Sequence, residues 1–187
     1  VQDGILIQDA EPKLYLYKQT SENYSCIGVI AGASVEEYLA KKIKIHEATL
    51  TTREAVFEHY LDVVGYNAEP VLLSYSGNNN IQDLIEKIAL SRPEYEFTTT
   101  DKIKHELWIL QNHDADKIQA YFEPIKEVYI ADGHHRSASS AGLYKSKGNQ
   151  YEYSKNFLAY FVDEQQLNIS SFNRIVKSLN GINPETF

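Results

Sequence analysis

The sequence predicts a mixed α/β fold (α/β or α+β), a mixed sheet with flanking helices. Three observations lead there. Short aliphatic or aromatic runs at residues 14–17, 26–30, 70–75 and 156–162 read as strands. Segments of helical length lie between such runs, opened by capping residues and stopped by Gly or Pro. The connections are short, with no repeat, low-complexity tract or long linker. The expectation is a single domain over residues 1–187, with two interlocked subdomains as the alternative.

Taken in order, 14–17 and 26–30 are two strands around the polar stretch 19–23, a hairpin pattern. Ser34 is placed to cap a helix over 35–42, whose acidic start and basic end suit the helix dipole. A short strand is expected at 43–47. Thr51-Thr52-Arg53-Glu54 has capping-box spacing, and Val56, Tyr60 and Val63, with Phe57, Leu61 and Val64 beside them, form the apolar face of the next helix. Residues 70–75 read as a buried strand, 77–80 as a loop, and 81–90 as a helix stopped at Pro93. Strands at 95–99 and 104–110, a helix over 114–122 and a strand at 127–131 follow. A helix over 137–147 stops at Gly148, a strand covers 156–162, and 175–179 reads as a last helical piece.

Composition narrows the function. The chain has 187 residues, 43% hydrophobic and 24% charged, enough to bury roughly 70% of its unfolded surface. No apolar run approaches the ~20 residues of a membrane span, so no membrane association is expected. Cys26 is the single cysteine, which excludes an internal disulfide and any multi-cysteine metal centre. A net charge of −8 argues against a nucleic-acid partner, because binding phosphate backbones needs a basic footprint. Lys41-Lys42-Ile43-Lys44 reads as a solvated helix end. Cysteine usage and the lack of a signal peptide suggest the cytoplasm. The chain has no methionine where about four are usual. With Val1 at its start, it is read as part of a longer protein whose modified methionines are missing from the sequence, so some spacings would be short by one.

Chemistry concentrates in Ala131-Asp132-Gly133-His134-His135-Arg136, between an expected strand and helix. The first amides of a helix lack intrahelical partners, and the positive end of its dipole lies there. A strand–glycine–helix junction is therefore suited to cradle phosphate. Arg136 could add a planar fork for phosphate oxygens. His134 or His135 could donate hydrogen bonds or bind a metal. Asp132 could hold Mg²⁺ or accept a hydroxyl proton, and the plainer reading makes it a turn residue and cap. His46-Glu47, before a capped helix, offers a base or metal ligand, and Asn173-Arg174 is a weaker candidate.

The run Val128-Tyr129-Ile130-Ala131-Asp132-Gly133-His134-His135-Arg136 resembles the signature of a widespread bacterial and archaeal family catalogued as a domain of unknown function. His46-Glu47-Ala48-Thr49, Asn173-Arg174 and Leu107-Trp108 match that family's other blocks in order. The family is similar to the ParB/sulfiredoxin-like superfamily, whose strand–turn–helix block binds nucleotide phosphates, and whose relatives include kinases of free L-serine. The resemblance implies ATP or ADP with Mg²⁺, Gly133 to Arg136 around the phosphates, Asp132 at the hydroxyl or metal, and Glu47 as the catalytic carboxylate. It also implies a region upstream of Val1, so the chain is read as a fragment. The leading expectation is a nucleotide-dependent small-molecule kinase acting on free L-serine. The alternatives are a ParB-like nucleotide-binding regulatory module without turnover, and a metal-dependent hydrolase built from His46, Asp132, His134 and His135.

Overall fold

In the computed structural model, residues 8–48, 51–148 and 154–171 are described, together with 173, 175, 176, 178 and 183. The opening hairpin forms as β1 (Tyr15–Thr20) and β2 (Ser25–Ser34), antiparallel, with Leu16 opposite Val29. β2 runs directly into α1 (Val35–Leu39), where the Ser34 hydroxyl accepts from the Glu37 N–H at 3.3 Å. The helix is shorter than the 35–42 expected, because Lys41 turns the chain with φ +60°. β3 is only Ile43–Lys44, so the expected strand at 43–47 is cut short. It is an edge strand with one neighbour, and beyond Lys44 the His46 N–H bonds a side chain instead of a sheet partner.

α2 (Thr51–Val64) precedes β4 (Val71–Tyr75), α3 (Asn79–Ala89), β5 (Tyr95–Thr98), β6 (Lys104–Ile109) and α4 (Asn112–Phe122). β7 (Val128–Asp132), α5 (His134–Lys147) and β8 (Asn156–Asp163) complete the regular elements, with a short 3-10 turn at Glu164–Gln166. Only part of the expected apolar face of α2 is buried: Leu61 is, while Val56 and Val63 are 69% and 70% exposed. The contact with α5 includes polar pairs, with the Ser146 hydroxyl donating to Glu58 and Lys147 paired with Asp62. Gly142 on α5 leaves room for Glu58, whose Oε2 lies only 2.6 Å from where a Cβ would be. In the expected helix at 175–179, the described Ile175, Val176 and Ser178 carry no regular structure, and the rest lies outside the described residues.

The fold is mixed α/β, with one eight-stranded sheet in the order β3-β7-β4-β8-β2-β1-β6-β5. β3/β7 and β4/β8 are parallel and the remaining neighbours antiparallel. Directly paired residues share a face, so Trp108, Leu16, Val29, Phe161, Leu73 and Ile130 form one row across six strands. The helices cover that row in two groups. Ile81, Leu84 and Ile85 of α3 and Ile118 of α4 pack with Leu16, Val29 and Trp108. Val35 of α1 and Ala141 of α5 pack with Leu73, Ile130, Phe157 and Ala159. Each large apolar side chain buried this way stabilises the fold by roughly 1.5–3 kcal/mol. Val128 and Phe161 touch both groups. A cavity of about 650 Å³ lies here, floored by Val29, Ala31, Ala33 and Phe161, and none of the expected site residues lines it.

No helix among the described residues is long and apolar enough to cross a membrane. The Lys41–Lys44 stretch meets carboxylates, Lys42 pairing with Glu37 at 3.0 Å and Lys44 with Glu127 at 2.8 Å.

Candidate functional site

The end of β7 explains how the chemistry-bearing block is presented. Ile130 pairs with Leu73 of β4 but Asp132 pairs with Leu72, so Ala131 is an extra residue, a β-bulge. The bulge lets Ile130 stay in the core at 1% exposure while the Asp132 side chain stands 70% exposed at the strand end. Gly133 follows with φ +100° and caps α5 with no side-chain hydrogen bond to the first turn. This is a left-handed conformation that residues other than Gly, Asn and Asp rarely adopt. A Cβ at Gly133 would also sit 3.2 Å from the Val71 Cα and from the Arg136 Nε. α5 begins at His134, three residues before the expected 137, so His134, His135 and Arg136 form its first turn. The sequence hid this start because the three residues show no apolar periodicity.

Further along α5, Ser137, Ser139 and Ser140 are buried, and their hydroxyls donate to the carbonyls of His134, His135 and Arg136. Each is satisfied within its own helix, so they can be buried there without further partners.

The four side chains of the block have different surroundings. Arg136 donates to Asp132 and to the Pro70 carbonyl, and its Nη1 lies 3.4 Å from Glu69 Oε2. Nothing in the sequence pattern marks Glu69 or Pro70 as a partner of Arg136. They lie 67 and 66 positions away, and only the antiparallel pairing of β4 with β7 brings the start of one to the end of the other. Pro70 at the head of an apolar strand was the one available signal.

His134 is 5% exposed. Its Nε2 accepts from the His46 N–H at 3.4 Å, its Nδ1 lies 3.8 Å from Glu47 Oε2, and the His46 ring meets it edge-on at 4.4 Å. Burial first, and the nearby His46 second, push His134 below the usual imidazole pKa, against the opposing pull of Glu47 and Asp132. Burial thus favours the neutral ring. His135 is half-buried, with its Nδ1 enclosed and without a partner among the described residues.

Glu47 is thus brought to the first turn of α5 from a loop 85 positions before Asp132, its side chain 65% exposed. Asn173 is exposed and outside any strand or helix. Thr49 and Arg174, also expected at the site, lie outside the described residues.

A family model described as "Protein of unknown function (DUF1015)" matches residues 1–187. The chain belongs to the DUF1015 family. No curated protein and no solved structure matches it.

In this DUF1015 chain the junction suits an anion. The α5 amides are uncapped and the backbone beside them is glycine. A dedicated metal centre is another matter. Among the described residues no group of three or more His, Cys, Asp or Glu side chains is placed to hold a metal ion. His46, Asp132, His134 and His135 therefore do not form the site a metal-dependent hydrolase would need. Mg²⁺ accompanying a nucleotide asks less, one or two carboxylates with the remaining ligands from phosphate and water, and exposed Asp132 fits that role.

Proposed function

We propose that this protein is a nucleotide-dependent small-molecule kinase that phosphorylates free L-serine, using ATP or ADP with Mg²⁺. What carries the reading is the meeting of Glu47 with the uncapped first turn of α5, next to Asp132 and Arg136. The α5 amides, His135 and Arg136 bind the donor's phosphates, as in the ParB/sulfiredoxin-like kinases that the signature resembles. Asp132 holds the nucleotide's Mg²⁺. Glu47 accepts the proton of the serine hydroxyl as its oxygen bonds to the terminal phosphorus and the bond to the leaving phosphate oxygen breaks. The preorganised amides and guanidinium act where charge gathers on the transferring group, which supplies most of the acceleration in this reaction class. Arg136 already rests on Glu69 and Asp132, so a phosphate has to replace exposed carboxylates rather than water alone.

Phosphorus NMR of the protein with L-serine, Mg²⁺ and either nucleotide tests the proposal. Phosphoserine is the expected product, and its absence with both nucleotides overturns it.

A second reading, a nucleotide-binding regulatory module, draws on the same engagement of Arg136. A guanidinium held by two carboxylates and a carbonyl before any ligand arrives is suited to switching between partners. It predicts nucleotide binding by calorimetry with no serine-dependent turnover.

A further inference from the structure

The first turn of α5 carries two adjacent histidines whose nitrogens are used in opposite ways. The His46 backbone N–H can only donate, so the His134 Nε2 it meets at 3.4 Å must present a lone pair. A neutral imidazole with a bare Nε2 carries its proton on Nδ1, and Nδ1 is the nitrogen 3.8 Å from Glu47 Oε2. The ring is 5% exposed and stands edge-on to His46 at an interplanar angle of 83°. Both nitrogens therefore face the 46–47 loop, leaving none for a ligand. His135 is the reverse case, with an enclosed Nδ1 that no described group satisfies.

We infer that His134 is a positioning residue for Glu47 and not a phosphate ligand. By accepting from the His46 amide, its Nε2 holds the His46-Glu47 loop against α5 and keeps the Glu47 carboxylate, 3.8 Å from Nδ1, beside the helix N-terminus. The importance of Glu47's position rests on the phosphotransfer reading; the placement of the proton does not.

Long-range ¹H–¹⁵N spectra of the full chain near neutral pH read the tautomer directly. The expected pattern is a protonated Nδ1 and bare Nε2 at His134, with the His46 amide protected from hydrogen exchange. In His134→Ala that protection is lost. Groups that orient a reacting or ligating side chain are typically worth about 10–100-fold in activity. His134→Ala is therefore expected to lower kcat by that factor while the nucleotide Kd from calorimetry stays within about twofold. His134→Asn, which keeps a short N–H donor, recovers part of kcat, and His135→Ala weakens nucleotide binding instead. An Nε2-protonated His134 overturns the inference without any variant. So does a His134→Ala protein whose nucleotide Kd rises about tenfold at unchanged kcat. A wild-type protein that makes no phosphoserine sinks the kinase reading alone, because the tautomer and exchange data still decide this one.

Discussion

Two helix N-termini in this molecule solve the same problem differently. At α3, Asn78 is extended (φ −130°) and its side-chain oxygen accepts from the Asn80 N–H at 3.0 Å. The other end of that amide donates to the Tyr121 carbonyl, tying α3 to α4. At α5, Gly133 is left-handed and contributes no side chain, so the first-turn donors remain open. Asn and Gly are both acceptable caps, but only Asn spends a side-chain acceptor on the helix itself. The α3 terminus is closed by its own chain and serves packing. The α5 terminus is left for something else, and the titratable side chains gather there.

The comparison can be broken or sharpened by substitution, beginning with the largest effect. Glu47→Gln removes the proposed proton acceptor and should lower the rate of phosphoserine formation by about 10²–10⁴-fold, with nucleotide affinity little changed. A rate near wild type in the coupled assay would take Glu47 out of the chemistry. Gly133→Ala should weaken nucleotide binding by at least about tenfold and destabilise the fold by roughly 1–2 kcal/mol for the left-handed backbone, read by calorimetry and urea melts. Gly133→Asn sharpens the point, because Asn tolerates that conformation and brings its own cap. Affinity should fall while stability suffers less than in Gly133→Ala. Equal nucleotide affinity in all three proteins would mean that the open amides bind nothing.

Closing the comparison from the other side, Asn78→Ala should cost about 0.5–2 kcal/mol of stability and leave nucleotide binding unchanged. Glu69→Gln loosens one of the groups already on Arg136 and should tighten nucleotide binding by a few-fold, an effect that shrinks with added salt because the pair is exposed. The smallest effect concerns pH. The pKa of His134 is lowered by folding, so the unfolded chain binds the extra proton first and stability is lost as pH falls below about 6.5. The melting temperature should drop between pH 7 and pH 5, and drop less in His134→Asn.

Much of this architecture was legible in the sequence, and the parts that were not share a cause. Strands such as β4 and β8 were found because apolar runs report burial directly. The Asp132–Arg136 block stood out by composition. Only Leu61 of the α2 face expected from periodicity is buried, because periodicity assumes an apolar neighbour, whereas α5 offers Gly142 and Ser146 to Glu58. The partners of Arg136 were invisible because they depend on which strand ends adjoin. His46 and Glu47 read as strand in the sequence because β-branched and charged residues alternate before them, but an edge strand with one neighbour supports little length.

The bulge at Ala131 has a consequence for how such a site can vary. Up to Ile130, β7 keeps phase with the core, and past the bulge the phase restarts. Ile130 packs in the core with Ala141 of α5, while the Asp132 side chain is 70% exposed, so the two positions answer to different surroundings. The strand thus separates the demands of the interior from those of its terminus.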